Sequence, residues 1–170
     1  DSDFPGAQRT DKRKSKFNTT PDSKNANRIL KQAFETGNLY RIGIAVHGFA
    51  DTWAHQNFTG LLDDFNAMPG LDESFIPNIG HADAGNKPEY VSYTWMDRRL
   101  KKEFQSIENN QRFLGASQRI FEELCRFKGM AQDWIAKEWK SLYRDIIERF
   151  GMPDQRQRMK NTRIAKYKNI

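Results

Sequence analysis

The feature that most limits what this chain can become is the run Leu39-Tyr-Arg-Ile-Gly-Ile-Ala-Val-His47-Gly-Phe-Ala-Asp51-Thr-Trp-Ala-His55-Gln-Asn-Phe58. It is the longest stretch with little charge, and it carries two of the three histidines. His47, Asp51 and His55 recur every fourth residue, the interval at which helical side chains lie one above another. At 3.6 residues per turn each four-residue step drifts by only ~40°, so the three share one stripe. Imidazole, carboxylate and imidazole on an otherwise apolar helix are either a costly burial or a metal site. Trp53, two residues from Asp51, falls off that stripe and reads as packing.

Spacing narrows the metal reading. His47 and His55 stand ~12 Å apart along the axis, too far for both to grip one ion. Asp51, midway, can turn to either neighbour or bridge two ions. The arrangement therefore reads as a cluster of two or more metals, with His47 on one and His55 on another. The competing reading has both histidines hydrogen-bonded to neighbouring helices and Asp51 a satisfied buried acid. The third histidine lies in Ile79-Gly80-His81-Ala-Asp83-Ala-Gly85-Asn-Lys-Pro88-Glu89, where flanking glycines let the backbone approach another element closely. Every histidine thus falls between residues 47 and 81, beside Asp51 and Asp83, and these ligand types suit zinc.

The residues His47-Gly-Phe-Ala-Asp51-Thr-Trp-Ala-His55-Gln-Asn-Phe58-Thr-Gly60, followed by Gly80-His81-Ala-Asp-Ala-Gly85-Asn-Lys-Pro88, carry a resemblance. The chain is similar to an uncharacterised bacterial family, from Phe4-Pro5-Gly6 into the C-terminal helices. More distantly it resembles the helical zinc-dependent phospholipase C and S1/P1 nuclease superfamily, through His-x3-Asp plus later histidines. That likeness implies up to three zinc ions among helices, His47 and Asp51 holding one ion pair and His55 with His81 holding the third. It also implies an acid four residues after His81. That position is Gly85 here, which leaves Asp83 or Glu89 as substitutes. The superfamily draws further ligands from an N-terminal segment, and no histidine precedes Arg41, so an N-terminal portion of the pattern is expected to be missing.

Composition bounds the rest. At 170 residues the chain makes one domain that buries about 70% of its unfolded surface. A mean hydropathy of −0.87 leaves little aliphatic material, so the core must draw on twelve Phe, five Tyr and four Trp. No stretch approaches the ~20 apolar residues of a membrane span. The single Cys125 excludes an internal disulfide, fits a reducing, cytoplasmic setting, and on its amphipathic helix reads as a buried thiol.

The net charge of +6 raises nucleic-acid binding, and its distribution argues against it. Residues 9–16 carry five Lys and Arg against Asp11, a net of +4. Residues 156–168 carry six and no acid, a net of +6. The positive charge sits at the ends, and basic tails are solvated or dock on acidic partners more often than they read sequence.

Three segments follow: an extended basic arm over 1–22, a helical metal-site domain over 23–153 and a basic tail over 154–170. Ser23 starts a helix over Lys24 to about Thr36, with Ile29, Leu30, Ala33 and Phe34 on one face and Gly37 as its stop. The motif helix runs from about Asn38 to Asn57. Gly43 and Gly48 within it weaken a helix, and close packing of another helix or of a ligand is the expected reason. From 59 to 90 periodicity disappears, and Gly60, Pro69, Gly70, Pro77, Gly80, Gly85 and Pro88 punctuate a long irregular loop. The acids Asp63, Asp64, Asp72 and Glu73 of that loop read as surface residues.

A helix is expected from Glu89 to about Ser106, then two amphipathic helices, about Asn110 to Lys128 and Ala131 to Phe150. Phe113, Ile120, Leu124 and Phe127 mark one face of the first. Ile135, Trp139, Leu142, Ile146 and Phe150 mark the second. Gly151 and Pro153 stop it, and a weak helix is expected over 154–168. No Val/Ile/Thr-rich alternating run points to strands. The fold class is all-α, a bundle of five or six helices with one long loop over 59–90.

There is no P-loop, no dinucleotide glycine fingerprint and no His-Glu-x2-His. The expected function is a zinc-dependent hydrolase of phosphoester bonds, with a small phosphoester or phospholipid as substrate and one to three ions. His47, Asp51, His55 and His81 are the expected ligands. Asp51 and Asp83 are the candidate catalytic acids, Asp83 as ligand or base. Two alternatives stand beside it: a non-catalytic helical protein stapled by a structural metal, and an adaptor whose basic tails bind acidic partners or lipid.

Overall fold

Helix boundaries follow the residues that the sequence supplies for them. The computed structural model describes residues 8–69 and 78–150, which hold four α-helices and one two-stranded sheet. Helix α1 (Lys24–Glu35) starts where Ser23 Oγ accepts the Ala26 N–H at 3.2 Å, and it stops before Gly37, at φ +62°. Helix α2 (Leu39–Ala54) follows at once, because Asn38 Oδ1 accepts from the N–H groups of Tyr40 and Arg41 at 3.0 and 3.2 Å. So short a link folds α2 back onto α1, and the two pack together. Leu30 and Ala33 of α1 and Ile42, Ala45, Phe49 and Trp53 of α2 are the buried side chains. Each large one stabilises the fold by roughly 1.5–3 kcal/mol. Trp53 packs edge-on to Phe49 at 5.1 Å, the packing role expected of it.

Asp1–Tyr90 with Trp95–Ile107 form one compact unit, and Val91–Thr94 with Glu108–Ile170 form a second. In the first, residues 8–20 form a non-helical strip with turns at Thr10–Asp11 and Lys16–Phe17. Backbone bridges pair Arg9 with Leu100 and Asn18 with Thr59. Arg9, one of the basic residues of the expected solvated arm, is instead buried. Its guanidinium lies 4.0 Å from the Phe65 ring centroid, donates to Phe65 O and pairs with Asp11.

The segment 59–90 is irregular, as its glycines and prolines predict, and side chains rather than periodic backbone bonds organise it. Asn66, wholly buried, accepts the Thr59 N–H at 2.8 Å and donates to Leu61 O and Asn78 O. Together with the Leu62–Ile79 bridge it ties the end of α2 to the stretch just before His81. Asp63 accepts the Phe65 N–H and caps a 3₁₀ turn. Asp72 and Glu73 lie outside the described residues.

The expected helix over 89–106 does not form. The chain there makes a 3₁₀ turn (Lys87–Glu89), strand β1 (Thr94–Met96), another 3₁₀ turn (Lys102–Phe104) and strand β2 (Ser106–Glu108) paired with β1. Val91-Ser-Tyr-Thr-Trp95 is rich in residues that suit a pleated, half-buried surface, which outweighs the apolar spacing that suggested a helix. Asp97 and Arg99, both almost fully buried, form a bidentate pair at 2.9 and 2.6 Å that a helix would not accommodate within two residues. The described residues therefore hold four α-helices and a small sheet where five or six helices and no strands were expected. The weak helix expected over 154–168 and the stop at Gly151 and Pro153 lie outside them.

In the second unit, α3 (Asn109–Phe127) and α4 (Gln132–Phe150) pack together, joined through Gly129 at φ +75°. The Ile135–Trp139 stripe is the inward face of α4, with Trp139 against Phe121 at 5.8 Å. On α3 the buried residues are Asn109, Leu114 and Ala116, whereas Leu124 and Phe127 are exposed. Cys125 is half-buried rather than enclosed.

Candidate metal centre

Three side chains from separate parts of the first unit converge where α2 ends. His55 is the C-cap residue of α2; its N–H still bonds to Asp51 O at 2.9 Å, while its φ of −99° turns the chain out of the helix. His81 heads the 3₁₀ turn Ala82–Ala84 and is brought there by the Asn66 tie. Glu89 ends the next 3₁₀ turn, after buried Pro88. Ligand atoms of His55, His81 and Glu89 all lie within 4.8 Å of one another. Glu89 Oε1 stands 3.5 Å from His55 Nε2 and 3.2 Å from His81 Nε2. The two imidazoles stack with centroids 4.4 Å apart and planes 18° from parallel.

The surroundings fix His81. Its Nδ1 lies 2.9 Å from Gly85 O, and a carbonyl only accepts, so the Nδ1 proton donates into that bond. Nε2 then faces the Glu89 carboxylate with its lone pair unless the ring carries a second proton or a cation sits between them. Gly85 holds φ +58° and ψ −144°, a conformation reserved for glycine, and so aims its carbonyl back at the ring. The Phe58 ring meets His81 edge-on at 6.3 Å, and the Arg99 guanidinium lies 3.7 Å from the centroid of Phe58. The buried Asp97–Arg99 pair thus supports one wall of the site.

The donor set fits zinc. Arms of ~2.0–2.1 Å in a tetrahedral site put neighbouring ligand atoms ~3.3–3.4 Å apart, and the two histidine–glutamate separations bracket that length. The side chains of His55, His81 and Glu89 are 30, 25 and 46% exposed, so the cluster is open to solvent.

The other expected site residues are placed differently. His47 and Asp51 form their own pair at 3.4 Å on an exposed part of α2, with side chains 79 and 43% exposed, and neither belongs to the three-residue group. Asp83 is buried, and its Oδ2 accepts the Met68 N–H at 3.1 Å. Of the two acids weighed as substitutes for the one absent at position 85, Glu89 is the one that reaches the imidazoles. The readable signal for it was the reversal at Gly85, which turns the chain back so that the eighth residue after His81 returns to it.

This chain belongs to the family of unknown function DUF6765, whose model matches residues 4–170. No curated protein and no solved structure matches it.

Proposed function

We propose that His55, His81 and Glu89 hold a divalent cation, zinc by their donor set, and that the chain is a metal-dependent hydrolase of phosphoester bonds. One observation carries the metal reading: a histidine whose proton is committed to Gly85 O turns its other nitrogen toward a carboxylate oxygen at 3.2 Å, with a second imidazole beside it. A cation between the imidazole nitrogens and the carboxylate would relieve the meeting of acceptors. Three protein ligands with an open position are the pattern of a catalytic rather than a closed structural site. A bound divalent cation supplies Lewis acidity, withdrawing charge from a phosphoryl oxygen and lowering the pKa of water toward ~7. Gly85 O orients His81, Glu89 spans both rings, and the Phe58 ring packs steeply against His81. His47 and Asp51 offer a separate, more exposed pair of donors for a second ion. Asp83 positions the turn that carries His81.

The phosphoester class rests on the likeness of the His47-x3-Asp51 stretch to the zinc-dependent phospholipase C and S1/P1 nuclease superfamily. The test is elemental analysis and zinc titration of the full chain, followed by hydrolysis of bis(p-nitrophenyl) phosphate. Stoichiometric zinc, with turnover abolished in Glu89→Gln, supports the proposal. Zinc without turnover leaves a structural staple, and no binding at millimolar zinc removes the metal reading altogether.

A further inference from the structure

Gly43 and Gly48 have no close packing partner among the described residues: a methyl group at either would meet nothing within 4 Å, although each glycine costs α2 about 1 kcal/mol relative to alanine. Of the two expected reasons, another helix or a ligand, no helix among the described residues comes that close. Gly48 instead lines a groove of about 590 Å³ bounded by residues 16–20, α1 and α2. That volume is typical of a small-molecule site. Ala33, Ala45 and Phe49 form its buried floor, while Phe17, Ile29 and Ile44 stand at its sides 56, 53 and 74% exposed.

Shape and charge select the occupant. From Arg41 to Thr52 the groove follows α2 for ~16 Å, a length that an extended hydrocarbon chain spans along its apolar floor. The lining includes two cations, Lys16 and Arg41, and no Asp or Glu. Lys16 lies over the Phe17 ring at 5.1 Å, whereas the Arg41 guanidinium has no ion-pair partner among the described residues. A guanidinium presents a planar fork that matches a carboxylate.

We propose that this groove binds an unbranched long-chain carboxylate, its chain along α1 and α2 and its head on Arg41. None of His55, His81 and Glu89 lines the groove, so the site is independent of the metal reading.

The test titrates the full chain with hexadecanoate below its micelle concentration, by calorimetry and by displacement of a fluorescent fatty-acid probe. Saturable one-to-one binding is expected. Gly48→Phe, whose Cβ meets nothing within 4 Å, projects a ring into the groove, keeps or raises the melting temperature because phenylalanine is the better helix former, and weakens binding by about tenfold or more. Arg41→Glu weakens hexadecanoate by about tenfold and leaves hexadecanol unchanged. Absence of saturable binding by the wild type, or wild-type affinity in a folded Gly48→Phe variant, overturns the proposal. A wild-type dimer that Gly48→Phe dissociates and hexadecanoate does not would give the groove to a second copy and overturn it equally. Equal loss of both probes in Arg41→Glu overturns the assignment of the head group.

Discussion

His55 and His81 lie face to face, 4.4 Å between ring centroids, with both Nε2 atoms turned to the same oxygen of Glu89. One cation shared among the three groups would satisfy all of them together, and under the proposed metal reading the three should fail together.

That unity is measurable by zinc titration. His55→Ala, His81→Ala and Glu89→Ala should each weaken the tightest site by about tenfold or more, while His47→Ala leaves it in place. Zinc at ~100 times its Kd should stabilise the wild type by about 2.7 kcal/mol in chemical denaturation. An equal loss in His47→Ala would mean that the exposed pair on α2 belongs to the same site.

Gly85 serves His81 through its backbone. Its φ of +58° with ψ −144° is open to glycine alone, so Gly85→Ala should cost about 1–3 kcal/mol in a urea melt. The same substitution displaces the carbonyl that holds Nδ1, and zinc affinity should fall by roughly 10–100-fold, as for other groups that orient a metal-binding histidine. A stability loss with unchanged affinity would show that the Gly85 bond does not orient the ring.

Asp83 separates support from chemistry. Removing the acceptor of the buried Met68 N–H in Asp83→Ala should cost about 1–3 kcal/mol, and zinc affinity should stay near the wild-type value. The opposite pattern, an unchanged melting temperature with lost turnover, would restore Asp83 as the base.

Acid should loosen the strip over residues 8–20 through Asp11. The hydrogen bond from Arg9 holds the Asp11 carboxyl below its usual 3.8. A carboxyl depressed on folding contributes stability above its unfolded value, and that contribution is lost as pH falls through the folded one. Between pH ~5 and ~2 the wild type should therefore lose more melting temperature than Asp11→Asn. Parallel curves for the two would remove the Arg9–Asp11 bond from the stability of the strip.

Where local chemistry decides the backbone, the sequence was readable. Ser23, Asn38, Gly37 and Gly129 are caps and stops with their own mechanisms, and the four helices fall within a few residues of where those signals put them. The stretch 91–108 was not, because Trp95 and Leu100 suit either period. What decides between them is the burial of the Asp97–Arg99 pair, a tertiary matter. The centre was half-readable. The pairing of His47 with Asp51, and of His55 with His81, is what the resemblance implies; spacing alone leaves Asp51 free to face either neighbour on its helix. The choice of Glu89 over Asp83 depends on the turn at Gly85 and on which carboxylate Met68 claims.

The tie made by Asn66 and the position of Glu89 have one more effect. An ion gripped by His55 and Glu89 would cross-link the two ends of residues 55–89, removing loop-closure entropy from the unfolded chain much as a covalent clasp does. Starving the chain of that ion would remove this clasp and leave the Asn66 ties and the Leu62–Ile79 bridge to hold the end of α2 near His81, so the supply of metal would bear on how long each molecule survives proteolysis.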